Sequence, residues 1–208
     1  MTILIADDHQ VLRKGLILII REEFPDTVFD EAATGKEALE KLRLKPYDIA
    51  VVDISMPEIS GLDVISQLKT ENIKTPVLIL TAQPEEQYAI RVLKAGASGF
   101  IGKEAAADQL TVAIRKIISG RKYISESVSE KLAGDLSSEP VKAPHELLSD
   151  REFEVMKLLA SGKTVSQISE MLFLSVPTIS TYRNRILKKL GVRNNAELMH
   201  YAINQKLV

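Results

Sequence analysis

The chain of 208 residues contains no cysteine. That excludes a disulfide framework and a thiolate metal site, and it fits a reducing cytosol. Long hydrophobic runs are also missing. The longest unbroken one, Leu16 to Ile20, falls far short of the roughly 20 apolar residues that a membrane helix needs. The first residues read as a strand, not as a charged region followed by a hydrophobic core, so no secretion signal is expected. No membrane partner is expected either, and the expected location is the cytoplasm. There is no internal repeat and no low-complexity tract. What remains, 45% hydrophobic and 26% charged residues, is the composition of a soluble globular protein.

The chain also lacks a strong overall charge, at −1, but this hides an asymmetry. Residues 1–148 carry 18 Lys/Arg against 23 Asp/Glu, or −5, and residues 149–208 carry 9 against 5, or +4. An acidic front and a basic back imply two domains with different partners.

Up to about Ser119, short apolar runs alternate with segments of helical period. The strands read as Ile3–Ala6, Val28–Ala32, Ile49–Asp53, Val77–Thr81 and Gly99–Ile101, with helices near 9–23, 35–44, 61–70, 84–95 and 105–118. Five such units predict an α/β, doubly wound, five-stranded parallel sheet. Residues 121–136 can add one helix, and Asp135 to Pro144 combines Ser, Pro and charge in the manner of a linker. The rest reads as a small all-α domain with helices near 149–161, 164–172, 176–190 and 194–206. Ser149 with Glu152 and Thr164 with Gln167 read as capping boxes. Gly162 and Gly191 fall where helices end, and Pro177 falls in a first turn. The expected domains are 1–120, a helix and linker over 121–147, and 148–208.

In open α/β sheets ligands bind outside the carboxyl ends of the strands. Four strand ends carry chemistry. Asp7-Asp8 follows the first strand, Asp53 ends the third, Thr81 ends the fourth and Lys103 lies just beyond the fifth. Three converging carboxylates repel one another unless a hard cation sits between them. With a hydroxyl and an ammonium added, the set can bind Mg²⁺ and carry a phosphoryl group on a carboxylate. By position Asp53 is the nucleophile. Asp8 and Asp53, with the Ser55 backbone carbonyl, hold Mg²⁺, Asp7 orients its waters, and Thr81 and Lys103 each grip a phosphoryl oxygen. His9 reads as a first-turn surface histidine. Ser55 and Gln83, two residues after the nucleophile and the threonine, are placed to reach a water attacking an acyl phosphate.

Asp7-Asp8, Asp53-Ile54-Ser55-Met56-Pro57, Thr81-Ala82 and Gly96 through Lys103 together resemble the receiver domain of two-component response regulators, over about the first 120 residues. The resemblance implies a flavodoxin-like fold and a partner histidine kinase as phosphodonor. It also implies that Phe100 turns inward when Thr81 moves toward the phosphoryl group. One departure is Glu104, where many receivers have a proline that accompanies a cis bond.

A second resemblance begins at Leu148-Ser149-Asp150-Arg151-Glu152-Phe153-Glu154-Val155 and runs on through Ile168–Ser175 to Leu190-Gly191-Val192-Arg193. It is to the LuxR-type helix-turn-helix of the NarL/FixJ family. On the helix at 176–190, Ile179, Tyr182, Ile186 and Leu190 form an apolar stripe, with Ser180, Thr181, Asn184 and Lys188 opposite. No acidic residue lies between Val176 and Leu190. Such a helix suits the major groove of double-stranded DNA. The family geometry makes Ser180, Thr181 and Asn184 the candidates for base contacts, and Thr178, Arg183, Arg185, Lys188 and Lys189 those for phosphates.

The expected protein is thus a DNA-binding transcriptional regulator switched at Asp53, a homodimer when phosphorylated or DNA-bound, and not an enzyme. No catalytic residue is assigned. Leu16–Ile20, apolar all round its helix, and the helix at 105–118 are candidates for packing on a partner. The family's DNA-bound dimer contact maps to Ala196, Met199, His200 and Ile203. A haloacid-dehalogenase-type phosphatase needs a second acid two residues after its aspartate, where this chain has Ser55. The other alternative is a phosphate-independent transcription factor whose receiver does not switch.

Overall fold

The apolar runs become five strands: β1 (Thr2–Ala6), β2 (Val28–Ala32), β3 (Ile49–Asp53), β4 (Val77–Thr81) and β5 (Gly99–Gly102). In this computed structural model they pair in parallel in the order β2-β1-β3-β4-β5. The structure describes residues 1–82, 85–125, 128, 143–205 and 207–208, with the side chains of 85–87 and 150 left aside. Two compact units result, Met1–Leu136 and Ser137–Val208.

In the first unit the strands alternate with α1 (Gln10–Glu23), α2 (Gly35–Leu44), α3 (Gly61–Thr70), α4 (Glu85–Ala95) and α5 (Ala106–Ile118), the last entered through a 3₁₀ turn at Lys103–Ala105. Every residue of β3 and β4 is buried, as strands covered on both faces must be. Their two-residue period divides the core. Ile3, Ile5, Val51, Leu78, Leu80 and Ile101 pack with Leu16 and Ile20 of α1 and with Leu110 and Ile114 of α5. Leu4, Val52, Ile79 and Phe100 point to the other face and are equally buried. Each such side chain contributes about 1.5–3 kcal/mol of burial, so the sheet centre is the most strongly held part of the unit.

α1 is less uniformly covered than its sequence implies. Leu16, Ile17 and Ile20 are buried, whereas Leu18 is 62% exposed. The apolar surplus therefore reduces to Leu18 with Val11 on α1, and to Val112 and Ile118 on α5. No cis peptide bond occurs among the described residues, including the step from Lys103 to Glu104. Most of the helix expected over 121–136 lies outside the described residues, although Val128 is buried.

The second unit opens on a 3₁₀ turn (Pro144–Leu147) and continues with α6 (Asp150–Ala160), α7 (Val165–Met171), α8 (Val176–Leu190) and α9 (Asn195–Asn204). Ser149/Glu152 and Thr164/Gln167 form reciprocal capping boxes, and Ser175 and Asn194 cap the other two helices. Gly191 ends α8 in the left-handed region at φ 69°, which glycine adopts without a Cβ clash. Ile179, Ile186, Leu187 and Leu190 form the buried face of α8. Here the structure corrects the expected stripe: Leu187 takes the inward place assigned to Tyr182, which is only half-buried. An angle of 100° per residue sets Tyr182 at one edge of the stripe and Leu187 at the other.

Candidate functional site

Parallel register turns separated residues into neighbours. Ala6 pairs with Val52, so the next residues, Asp7 and Asp53, end adjacent strands. The sheet order reverses between β1 and β3, which makes this the topological switch point where open α/β sheets bind ligands. Asp53 pairs with Leu80, placing Thr81 one step further. Thr81 in turn pairs with Gly102, and Lys103 follows.

Lys103 Nζ lies 2.7 Å from Asp7 Oδ2 and 2.7 Å from Asp53 Oδ2. Asp7, Asp53 and Thr81 are buried, at 1%, 3% and 1% exposure. Burial pushes the Asp53 carboxyl up from its usual range. Lys103 and the Ser55 amide pull it down and the Asp7 charge pushes it further up, leaving a net rise. For Lys103 burial acts to lower the ammonium, but Asp53 and Asp7 outweigh it and the net shift is upward. The lysine is therefore a fixed cation at any ordinary pH. Among the described residues, Asp53 Oδ1 accepts no hydrogen bond, and Asp7 Oδ2 has only its ion contact with Lys103. Buried carboxylate oxygens are rarely left in this condition, and one lysine cannot satisfy two carboxylates.

Asp8 is on the rim, with its side chain 31% exposed. His9 is the N-cap residue of α1 but does not cap it with its side chain. Its Nδ1 instead lies 2.7 Å from Asp8 Oδ1 and 3.2 Å from Asp7 Oδ1, and its backbone N–H donates to Asp7 Oδ1 at 2.7 Å. One potential ligand atom from each of Asp7, Asp8, His9 and Asp53 falls within 4.8 Å of all the others. His9 is a surface residue, as expected, with a 70% exposed side chain. Carboxylate oxygens converging beside buried oxygens without hydrogen bonds fit a divalent cation.

The nearby backbone is built for close approach. The Gly61 amide donates to the Ile54 carbonyl at 2.9 Å, and a Cβ at Gly61 would overlap the Asp53 carbonyl oxygen. Glycine thus lets the start of α3 press against the strand end that carries Asp53. Ser55 is exposed on the loop that follows. Phe100 is 3% exposed, inside the core of the first unit. Gln83 lies outside the described residues.

In the second unit α8 presents Thr181, Asn184, Arg185 and Lys188 on its exposed side, with Ser180 and Thr178 half-buried. Thr178 Oγ1 shares a hydrogen bond with Ser175 Oγ at the helix start. Two of the expected DNA-contacting cations have partners within the unit. Arg183 Nε donates to Asn195 Oδ1 at 2.7 Å, tying α8 to α9. Lys189 Nζ donates to Glu152 Oε2 at 2.6 Å and to the Leu147 carbonyl at 3.3 Å. Partners 12 and 37 residues away leave no local signal in the sequence.

Known proteins match both units. The family model of the response regulator receiver domain matches residues 3–115, and that of bacterial regulatory proteins of the luxR family matches residues 146–202. Response regulator UvrY of Escherichia coli (strain K12) is 32% identical over 206 residues, covering 99% of this chain and 94% of that one. Oxygen regulatory protein NreC of Staphylococcus aureus (strain MRSA252) is 36% identical over 215 residues, covering 100% and 99%. Among solved structures, RcsB from Salmonella enterica serovar Typhimurium, bound to promoter rprA in the presence of phosphomimetic BeF₃⁻, superposes with a TM-score of 0.64 at 25% identity, covering 97% and 98%. Both halves of the chain and their order are accounted for: the protein belongs to the two-component response regulators of the NarL/FixJ family, in which a receiver domain is joined to a LuxR-type helix-turn-helix DNA-binding domain.

Proposed function

We propose that this regulator is switched by phosphoryl transfer to Asp53, and that the switch controls binding of the 148–208 domain to double-stranded DNA. The observation that carries the reading is the buried Asp53 carboxylate, whose Oδ2 contacts Lys103 while Oδ1 accepts no hydrogen bond. A carboxylate oxygen attacks the phosphorus of a phosphohistidine on a sensor kinase. The P–N bond breaks, its electron pair leaves on the imidazole, and an acyl phosphate forms on Asp53. Asp8, Asp53 and the Ser55 backbone carbonyl would hold Mg²⁺, with Asp7 orienting its waters, and the bound ion would supply charge neutralisation at the phosphate oxygens. Lys103 exchanges part of its contact with Asp7 and Asp53 for a phosphoryl oxygen, Thr81 grips another, and Phe100 follows Thr81. Ser55 is placed to tune hydrolysis of the acyl phosphate.

The division into a receiver at 1–120, a helix and linker at 121–147 and a DNA-binding domain at 148–208 goes with this reading. On α8, Ser180, Thr181 and Asn184 read base edges. Arg185 and Lys188 are the leading phosphate contacts, supported by Thr178, Arg183 and Lys189; the last two must share their charge with Asn195 and Glu152. The regulator acts as a homodimer when phosphorylated or bound to DNA, and it works in the cytoplasm. Enzymatic turnover of a small phosphate ester is no part of this function.

The test is to incubate the full chain with Mg²⁺ and acetyl phosphate and to locate the added phosphoryl group by mass spectrometry. The expected result is a single labile modification at Asp53, absent from Asp53→Asn. Modification elsewhere, or none, leaves the receiver unable to switch in this way.

A further inference from the structure

The acidic pocket holds a feature that phosphoryl transfer with Mg²⁺ does not use. His9 brings a nitrogen donor into a ring of carboxylates, its Nδ1 2.7 Å from Asp8 Oδ1 and 3.2 Å from Asp7 Oδ1. It is held there by its own backbone, since its N–H donates to Asp7 Oδ1 at 2.7 Å. Arg13, one helical turn on, donates to the Asp7 carbonyl at 2.6 Å and so fixes the turn between the acidic pair and α1. Below His9 are two buried carboxylate oxygens, Asp7 Oδ2, which meets Lys103 at 2.7 Å, and Asp53 Oδ1, which accepts no hydrogen bond among the described residues. The potential ligand atoms of all four residues lie within 4.8 Å of one another.

We infer that His9 is a metal ligand of this pocket, and that it widens the range of ions bound from Mg²⁺ to nitrogen-preferring divalent transition ions of the Ni²⁺ and Co²⁺ class. The inference rests on the reading of this pocket as a cation site. Mg²⁺ is hard, selects oxygen donors and keeps several waters. Imidazole adds little to its binding but much to that of nickel or cobalt. A neutral His9 ring ligates through Nδ1 when its proton sits on Nε2 and the metal replaces the contacts of Nδ1 with Asp7 and Asp8. Its 70% exposed side chain has the freedom to turn, and its fixed backbone keeps Nδ1 near the carboxylates. The receiver would then take up its activating ion according to which divalent metal is available, and a transition ion would compete directly with Mg²⁺.

The experiment is calorimetric titration of the untagged full chain with Mg²⁺ and with Ni²⁺, for wild type, His9→Ala and Asp53→Asn. Co²⁺-loaded samples are also examined by proton NMR for hyperfine-shifted imidazole N–H resonances. His9→Ala is expected to weaken Ni²⁺ binding at least about tenfold, the scale on which even indirect ligand contacts act. Its Mg²⁺ affinity should stay within about twofold of wild type, because water replaces the nitrogen at little cost to a hard ion. One shifted imidazole resonance should disappear with His9. Equal weakening of both ions, or no change in either, overturns the selective role of His9 for transition ions. A different outcome, loss of neither ion in Asp53→Asn, removes the cation site itself.

Discussion

Asp53 in the receiver and Glu152 in the helix-turn-helix unit are both 3% exposed, yet their surroundings treat them in opposite ways. Glu152 Oε2 accepts from the Ser149 amide at 2.7 Å and from Lys189 at 2.6 Å. Burial pushes its carboxyl up, but Lys189 and Ser149 more than offset this, and it titrates below the usual range. Asp53 is held by Lys103, which it shares with Asp7, and by the Ser55 amide, and it titrates above that range. Equal exposure therefore does not decide the outcome. Desolvation is the largest influence on Asp53 and the Asp7 charge adds to it, so that Lys103 and the Ser55 amide do not offset the cost, whereas the donors of Glu152 do. That balance separates a structural charge, which holds helices together, from one that raises the energy of the fold and becomes useful when a cation and a phosphoryl group arrive.

The contrast is broken or sharpened by substitutions of opposite expected sign. The largest effect is expected for Lys103→Met, which leaves Asp7 and Asp53 buried without their cation and should cost the receiver about 3 kcal/mol. Glu152→Ala removes a capping box and an ion pair and should cost the second unit about 2 kcal/mol. Asp53→Asn should instead stabilise the metal-free receiver at neutral pH, by about 1 kcal/mol, because a charge that burial disfavours is removed. Hydrogen exchange on the full chain reads each unit separately. A destabilising Asp53→Asn or a neutral Glu152→Ala would erase the distinction. The smallest effect is in pH. Because the Glu152 carboxyl is depressed in the folded state, its contribution is fully present above the ordinary value of 4.5 and is lost as pH falls through the lower folded value. The stability gap between wild type and Glu152→Gln should accordingly narrow only in acid below about 4.5.

Much of this was legible in the amino-acid order. Parallel strands buried on both faces read as apolar runs, and β3 and β4 begin and end where those runs do. Asp7, Asp53, Thr81 and Lys103 were recognisable because each marks the point where such a run turns polar. Side-chain pairings were not legible. Lys189 reads as one more cation on a basic helix, and only the packing of α8 beside the start of α6 makes it the partner of Glu152. Arg183 with Asn195 is a similar case. His9 reads as a surface histidine and its side chain is 70% exposed; what its place before a helix does not show is that Nδ1 comes within 2.7 Å of Asp8 Oδ1. Leu187 and Tyr182 exchanged places because the stripe on α8 was drawn too far to one side.

The most direct test of the central claim is to measure binding of the full chain to a pool of genomic DNA fragments, with and without Mg²⁺ and a small phosphodonor, for wild type and Asp53→Ala. If the under-satisfied carboxylate is the switch, donor and Mg²⁺ together raise wild-type affinity for a defined set of fragments, and Asp53→Ala shows no response. Equal binding by both proteins under every condition would contradict it, leaving a DNA-binding domain that Asp53 does not govern.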